Sequence, residues 1–389
     1  MRTPARPAAV AVAFAAAALI AGCGSAAPAA PGPAAEATPA GSPFLATSLV
    51  TPAGSWAVAV MGGSVATNNN FWQLFERPAG AADWKLVTPP GTPDNGGLVL
   101  AGAGQSMITG FRPSQYLTYT PLTVTHDGGQ AWSSVSPLDA ALADVPDALA
   151  TAPGSGHLLA LTAGGTVTVA APGYTSWTTL ATLRSLAATP VGKRCGLQTV
   201  TAATFSPAGL PLLGGTCGRP GTAGIFTGTS GTWRAAGPAL PASLASQRVQ
   251  VLRLTSTASG TTALLEAGTG PTDSLLAAWS ADSGSHWALS PQFKLTGATP
   301  ISVSFGPGNT AAVVLTGNRG ETIAGPAAAW QSLPALPAGT ATLAPGAAGG
   351  LDALAVKNAR LTVWQLAAGS AAWARAQAIS VPIQYGSSG

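Results

Sequence analysis

Two octapeptides constrain this chain more than anything else in it. They are Thr125-His126-Asp127-Gly128-Gly129-Gln130-Ala131-Trp132 and Ser280-Ala281-Asp282-Ser283-Gly284-Ser285-His286-Trp287. Both read Ser/Thr-x-Asp-x-Gly-x-x-Trp, so Thr125, Asp127, Gly129 and Trp132 correspond to Ser280, Asp282, Gly284 and Trp287. Each follows a β-like run and leads into another. A carboxylate at such a corner accepts hydrogen bonds from turn amides. The glycine takes φ > 0, and the indole begins the returning strand with a wide apolar face to bury. The pattern spells a hairpin corner, and its recurrence spells a repeat.

The repeat extends along the chain. Trp84, Trp132, Trp177, Trp233, Trp287, Trp330 and Trp373 each suit the start of a fourth strand, at intervals of 48, 45, 56, 54, 43 and 43 residues. That period is one four-stranded propeller blade. The other corners keep less of the pattern: Thr227 to Trp233 retains Gly and Trp one residue short. Four strands are clearest in the fifth unit, at 249–255, 262–267, 274–280 and 287–290. Turns at Thr51 to Gly54, Ser206 to Gly209 and Gly306 to Asn309 fall between first and second strands of three units, which supports the register independently. First strands such as Ile301 to Phe305 set Ser between apolar residues, as expected of strands around a central channel with one side packed and one wet. Helical periodicity shows only weakly, at Leu138 to Leu149.

On these motifs the chain resembles the Asp-box (bacterial neuraminidase repeat) β-propellers, which include sialidases and a photosystem II assembly factor. The resemblance implies an all-β fold: a seven-bladed β-propeller of four-stranded antiparallel blades. It also implies that the boxes are structural and lie away from any active site. Six blades with an insertion is the alternative, because the fourth unit is long; a β-helix would need much shorter repeats.

The N-terminus reads as an export signal. Arg2 and Arg6 precede an uncharged apolar run, Ala8 to Ile20, that is short for a membrane span. Leu19-Ile20-Ala21-Gly22-Cys23 resembles a bacterial lipobox, which implies cleavage after residue 22 and lipid attachment at Cys23. Residues 23–42, rich in Ala, Pro and Gly, suit a tether, and 43–389 the propeller with a short C-terminal tail. These features predict a protein on the extracytoplasmic face of the cell membrane, held by membrane lipid. The net charge is +4, of which Arg2 and Arg6 supply two, and no basic run occurs. That balance excludes a nucleic-acid-binding surface.

Cys195 and Cys217 flank the Ser206 to Gly209 turn almost symmetrically. Cys195 is expected to open the fourth unit's first strand and Cys217 to end its second, so a hairpin brings them opposite each other. Outside the cytoplasm this favours a disulfide worth about 3 kcal/mol. A zinc site needs more ligands than these two thiols and the isolated His157 supply. No metal and no cofactor is expected, and no Gly-rich phosphate loop precedes a helix.

Sialidases of the resembled family use a Phe/Tyr-Arg-Ile-Pro motif, two further arginines, a Tyr-Glu pair and an acid/base Asp. Phe111-Arg112-Pro113 lacks the Ile and falls in the second unit, and the contexts of Arg253 and Arg319 match no family arginine site. No catalytic residue is assigned. The chain reads as an envelope-anchored, non-catalytic module that binds or scaffolds an unknown envelope protein or glycan. A sialidase-like glycoside hydrolase is the alternative, and convergence of Arg112, Arg253 and Arg319 is what would revive it.

Overall fold

A computed structural model describes residues 47–62, 70–90, 97–103, 105–111, 122–134, 146–162, 164–229, 231–268, 273–307, 310–325, 328–346 and 349–382. The signal, Cys23, the tether and Arg112 lie outside these residues. Among them the fold is all-β, with every sheet antiparallel between chain neighbours.

The first sheet is β1 (Ser48–Thr51), β2 (Gly54–Gly62), β3 (Asn70–Pro78) and β4 (Lys85–Leu86). The second is β5 (Leu98–Ala103), β6 (Ser106–Phe111), β7 (Leu122–Thr125) and β8 (Ser133–Ser134). The third is β9 (Pro146–Thr151), β10 (Leu158–Thr162), β11 (Thr166–Ala170) and β12 (Trp177–Ala181). The fourth holds nine strands in two halves. One half is β13 (Leu197–Phe205), β14 (Pro211–Cys217), β15 (Gly224–Thr229) and β16 (Thr232–Ala235). The other is β17 (Val249–Thr257), β18 (Gly260–Ala267), β19 (Ser274–Ser280), β20 (Ala288–Leu289) and β21 (Phe293–Lys294). The residue pair Thr216–Gln250 joins the halves. The fifth sheet is β22 (Pro300–Phe305), β23 (Ala311–Leu315), β24 (Arg319–Ile323) and β25 (Gln331–Ser332). The sixth is β26 (Thr340–Pro345), β27 (Leu351–Lys357), β28 (Arg360–Leu366) and β29 (Ala374–Ser380).

Both faces of the middle strands are packed, which is why β10 (LLALT) and β23 (AAVVL) are continuous apolar runs, buried throughout. β2 shows the logic. Trp56 and Val58 pack with Leu98 and Met107 of the second sheet. The alternate residues Ala57, Ala59 and Met61 pack with Leu354, Leu361 and Val363 of the sixth. Similar cores join each sheet, or half-sheet, to the next. The packing therefore returns on itself, with the last sheet against the first. Where β14 passes β17 and β13, Gly214 and Gly215 allow the approach. A Cβ there would stand 2.6 Å from Val251 Cγ1 and 2.2 Å from the Thr199 carbonyl oxygen.

First strands neighbour first strands around the middle: β1 beside β5, β5 beside β9, β9 beside β13, β13 beside β17, β22 beside β26, and β26 beside β1. The expected wet side of β22 differs from the observed one. Ser302 and Ser304 are buried, whereas Ile301 is 39% exposed. The reason is that these neighbours share no backbone ladder, so hydroxyls bridge them. Ser302 Oγ meets Thr342 Oγ1 at 2.7 Å, Ser304 Oγ accepts from the Ser48 amide, and Thr201 Oγ1 donates to the Val251 carbonyl at 2.6 Å.

Two short helices were not legible in the periodicity: α1 (Leu183–Ala188) and α2 (Pro190–Cys195). Six residues are too few to display a helical period, but the caps are there. Thr182 and Ser185 form a capping box. Thr189 caps α2 ahead of Pro190, and Gly196 ends it at φ 63°. These helices supply the extra length between Trp177 and Trp233. At the weak helical stretch, Pro146–Thr151 is strand β9, and 138–145 lie outside the described residues. Among the described residues no helix is long and apolar enough to cross a membrane.

The disulfide Cys195–Cys217 is present, with Cα atoms 5.0 Å apart. Its geometry differs from the simple hairpin expected. Cys195 ends α2 instead of opening a strand, and Leu197 stands opposite Cys217 in the ladder. The left-handed Gly196 folds the chain back so that Cys195 reaches its partner.

Candidate functional site

The two turns share one hydrogen-bond design. In the first, Thr125 Oγ1 donates to Asp127 Oδ1 at 2.8 Å and accepts from the Gly129 amide at 2.9 Å. The same Oδ1 accepts from the amides of Gln130 and Ala131, at 3.0 and 2.9 Å. In the second, Ser280 Oγ donates to Asp282 Oδ1, which also accepts from the His286 amide at 2.8 Å. The Gly284 amide donates to Ser280 Oγ at 2.8 Å, and His286 Nδ1 lies 2.5 Å from Asp282 Oδ2. Gly129 sits at φ 79°, and a Cβ there would stand 2.6 Å from Val87 Cβ, so the turn rests directly on the preceding sheet.

Four of the corner tryptophans tie a sheet, or half-sheet, to its predecessor through the indole N–H. Trp132 Nε1 donates to the Val87 carbonyl at 3.0 Å, and Trp287 Nε1 to Ala236 at 2.6 Å. Trp330 donates to Pro291 at 3.0 Å, and Trp373 to Pro334 at 3.3 Å. Trp84 has no earlier sheet, and its indole donates instead to Asp352 Oδ2 of the last, at 2.8 Å. Arg77 Nη1 meets the same oxygen at 2.6 Å, Arg77 Nη2 donates to the Pro345 carbonyl, and the guanidinium lies 5.3 Å from the Trp84 ring centre. Gln377 holds both the amide and the carbonyl of Trp84. Asp352 is 1% exposed. Burial raises its carboxyl above the ordinary value, against the opposing pull of Trp84 and Arg77. Sequence reasoning missed this clasp: its residues lie in β3, just before β4, and in β26, β27 and β29, and form no local motif.

The turn carboxylates are shifted the other way. Asp127 is lowered chiefly by the Ala131 amide and then by the Thr125 hydroxyl. Asp282 is held well below the carboxylate range, first by the His286 ring and then by its amide. A depressed carboxyl stabilises the fold above its unfolded pKa, about 4, and that contribution disappears as pH falls through the folded value. Asp127→Ala and Asp282→Ala are therefore expected to lower the melting temperature at neutral pH, with differences from wild type that shrink below about pH 4. Thermal unfolding at pH 7 and pH 3 checks this; a constant offset would contradict it.

Antiparallel order puts the ends of first and third strands on one face. The first-to-second turns and both Asp-containing turns therefore share that face, and three hollows open there. The channel mouth, about 240 Å³, is lined by the ends of β1, β5, β9, β13, β17 and β22, and Arg253 is the charged side chain among its described lining residues. An apolar groove of about 420 Å³ runs between the fifth and sixth sheets, past Pro307, Ile323, Pro345 and Leu351. Phe305 lines both, so the channel mouth and the groove adjoin at that side chain. A polar cleft of about 460 Å³ lies between the first and second sheets, beside Asp127 and Glu76.

Of the three arginines considered from sequence, Arg112 lies outside the described residues. Arg253 lines the channel, whereas Arg319 donates to Leu295 and Thr296, lies 3.8 Å from Glu321 and stands over Phe293. Tyr174, whose phenol burial raises, donates to the Gly156 carbonyl. Among the described residues no group of three or more His, Cys, Asp or Glu is placed to hold a metal.

No protein-family model matches the chain, and no curated relative matches its sequence. Solved structures match by fold. The β-propeller domain of Cps50 (Swd1) from Myceliophteria thermophila aligns with a TM-score of 0.52 at 12% identity, over 83% of this chain and 96% of that one. YCF48 from Cyanidioschyzon merolae aligns at 0.45 with 14% identity, over 82% and 95%. YCF48 bound to D1 peptide aligns at 0.42 with 17% identity, over 75% and 81%. The antiparallel sheets, packed in a closed succession around a channel, and the first of these likenesses define the class of protein: it is a β-propeller.

Proposed function

We propose that this is a lipid-anchored, non-catalytic propeller on the extracytoplasmic face of the cell membrane, binding or scaffolding a protein partner. The nine-stranded sheet counts as two blades joined at Thr216–Gln250, which makes seven. The Thr125 and Ser280 turns act as Asp boxes with a structural role, because their carboxylates are engaged by the turns' own amides. The observation that carries the binding reading is Phe305. It stands between the channel mouth and an apolar groove and lines both, an aromatic side chain beside a concave apolar surface of the kind that buries an apolar side chain of a partner.

Phe305→Glu puts a charge into that concavity at a partly exposed position. Crosslinking of the full chain in intact membranes, with wild type and Phe305→Glu side by side, tests the reading. A defined crosslinked protein that disappears with Phe305→Glu at unchanged melting temperature supports it, and identical crosslinking by both refutes it. The sialidase-like reading gains no support from Arg253 and Arg319, which are engaged in separate places.

Anchoring rests on Cys23. Each buried acyl carbon contributes about 0.8 kcal/mol, so two or more chains hold a protein firmly. Cys23→Ser is expected to leave the membrane pellet and to take up no lipid label. Sedimentation with membranes like wild type would sink the proposal.

A further inference from the structure

The polar cleft beside the Thr125–Trp132 turn contains a carboxylate that, among the described residues, has no ion-pair contact, although Lys85 lines the same cleft. Glu76, on β3, lines the cleft and is 2% exposed. Among the described residues no hydrogen bond or ion pair reaches it. Its cross-strand neighbour Lys85 is exposed and acts on it at longer range. The carboxylate faces the turn: its oxygens lie 3.3 and 3.8 Å from where a Cβ would stand on Gly128. Glu321, the buried glutamate of the fifth sheet, is answered differently. It accepts from Ser332 Oγ at 2.8 Å and has Arg319 at 3.8 Å.

The remaining lining mixes polar groups with the apolar Ala53, Pro78, Leu86 and Val87. Asp127 also lines the cleft, and all its turn bonds go to Oδ1. Its Oδ2 takes no hydrogen bond among the described residues. Gln105, Gln130, His126 and the exposed Lys85 complete the polar rim. Exclusion of water raises the Glu76 carboxyl, which is the state of a buried acid waiting for a proton or a cation. A bare divalent metal asks for more oxygen ligands than two separated carboxylates. An ammonium or guanidinium brings three or five N–H donors of its own, which suits the oxygens of Glu76, Asp127 and the two glutamines.

We propose that this cleft binds a single organic cation, the ammonium or guanidinium of a lysine- or arginine-bearing ligand, with Glu76 as the buried counter-charge and Asp127 Oδ2 at the rim. The site is separate from the channel-and-groove surface, so its failure leaves that reading untouched.

The test is titration of the full chain with Nα-acetyl-lysine amide, Nα-acetyl-arginine amide and the uncharged isostere Nα-acetyl-norleucine amide, followed by calorimetry. Saturable binding of at least one cation and none of the norleucine compound is expected, and the preferred cation distinguishes ammonium from guanidinium. Glu76→Gln, which keeps the shape and removes the charge, should weaken binding by about tenfold or more. Lys85→Gln, a surface change, should strengthen it about twofold by removing a like charge. It serves as the deciding variant should Glu76→Gln not fold. Absence of saturable binding by both cations, equal binding of the norleucine compound, or unchanged affinity in the folded variants would overturn the proposal.

Discussion

Arg77→Ala is expected to destabilise the propeller by about 3–5 kcal/mol, because it leaves Asp352 charged and buried with no cation beside it. The arginine answers that carboxylate at 2.6 Å and also fills a hydrogen bond to Pro345. Asp352 Oδ1 has no hydrogen-bond partner among the described residues, so little else can take over. The effect should be local at first. Amides of β2 and β3 should exchange faster than those of β14 or β18, since the clasp joins the first sheet to the sixth. The double variant Arg77→Met with Asp352→Leu should recover most of the loss, as apolar replacements of buried ion pairs do. A residual of about 1–3 kcal/mol is expected from the Trp84 indole, which loses its acceptor. Denaturant unfolding of both variants with hydrogen exchange checks all three statements. A loss below about 1 kcal/mol for Arg77→Ala, as for an exposed pair, would mean that the clasp does not close the ring.

Removal of the disulfide is expected to cost about 3 kcal/mol, on loop entropy for a separation of 22 residues. Both cysteines are buried in the core that joins the third sheet to the fourth, with Leu186 and Val191 of the helices packed beside them. Cys195→Ala with Cys217→Ala should therefore free α1 and α2 before it disturbs the strands. Hydrogen exchange should rise across 183–196 while β17 to β19 keep their protection. Reduction of the wild-type protein should reproduce the same shift in unfolding midpoint. Global loss of protection in step with the helices would show that they are part of the ring's cooperative unit rather than an outgrowth of it.

The two effects differ in how visible they are in the sequence. Cys195 and Cys217 are legible because the Ser206 to Gly209 turn lies between them and a hairpin is local. Even so, the route differs, through a helix end and a left-handed glycine. The turns are legible for the same reason: Thr125, Asp127 and Gly129 bond within five residues of one another. The helices escape because each has only six residues. The hydroxyls of β22 mislead, since Ser302 and Ser304 read as a wet face and are in fact the bridge to β26.

The sequence by itself determined the repeat, its corners, the strand order within each unit and the pairing of the cysteines. All of these rest on groups close along the chain, where spacing translates directly into geometry. Tertiary structure alone decided which side chains meet across the closure of the ring. Arg77 and Asp352 are separated by 275 residues, and Trp84 and Gln377 by 293. It also decided that Phe305 lines both channel and groove, and that Glu76 is buried beside the neighbouring sheet's turn with no hydrogen bond among the described residues. Such meetings follow from how many sheets pack and at what angle they return, a sum over every interface, and no periodicity in the chain records it.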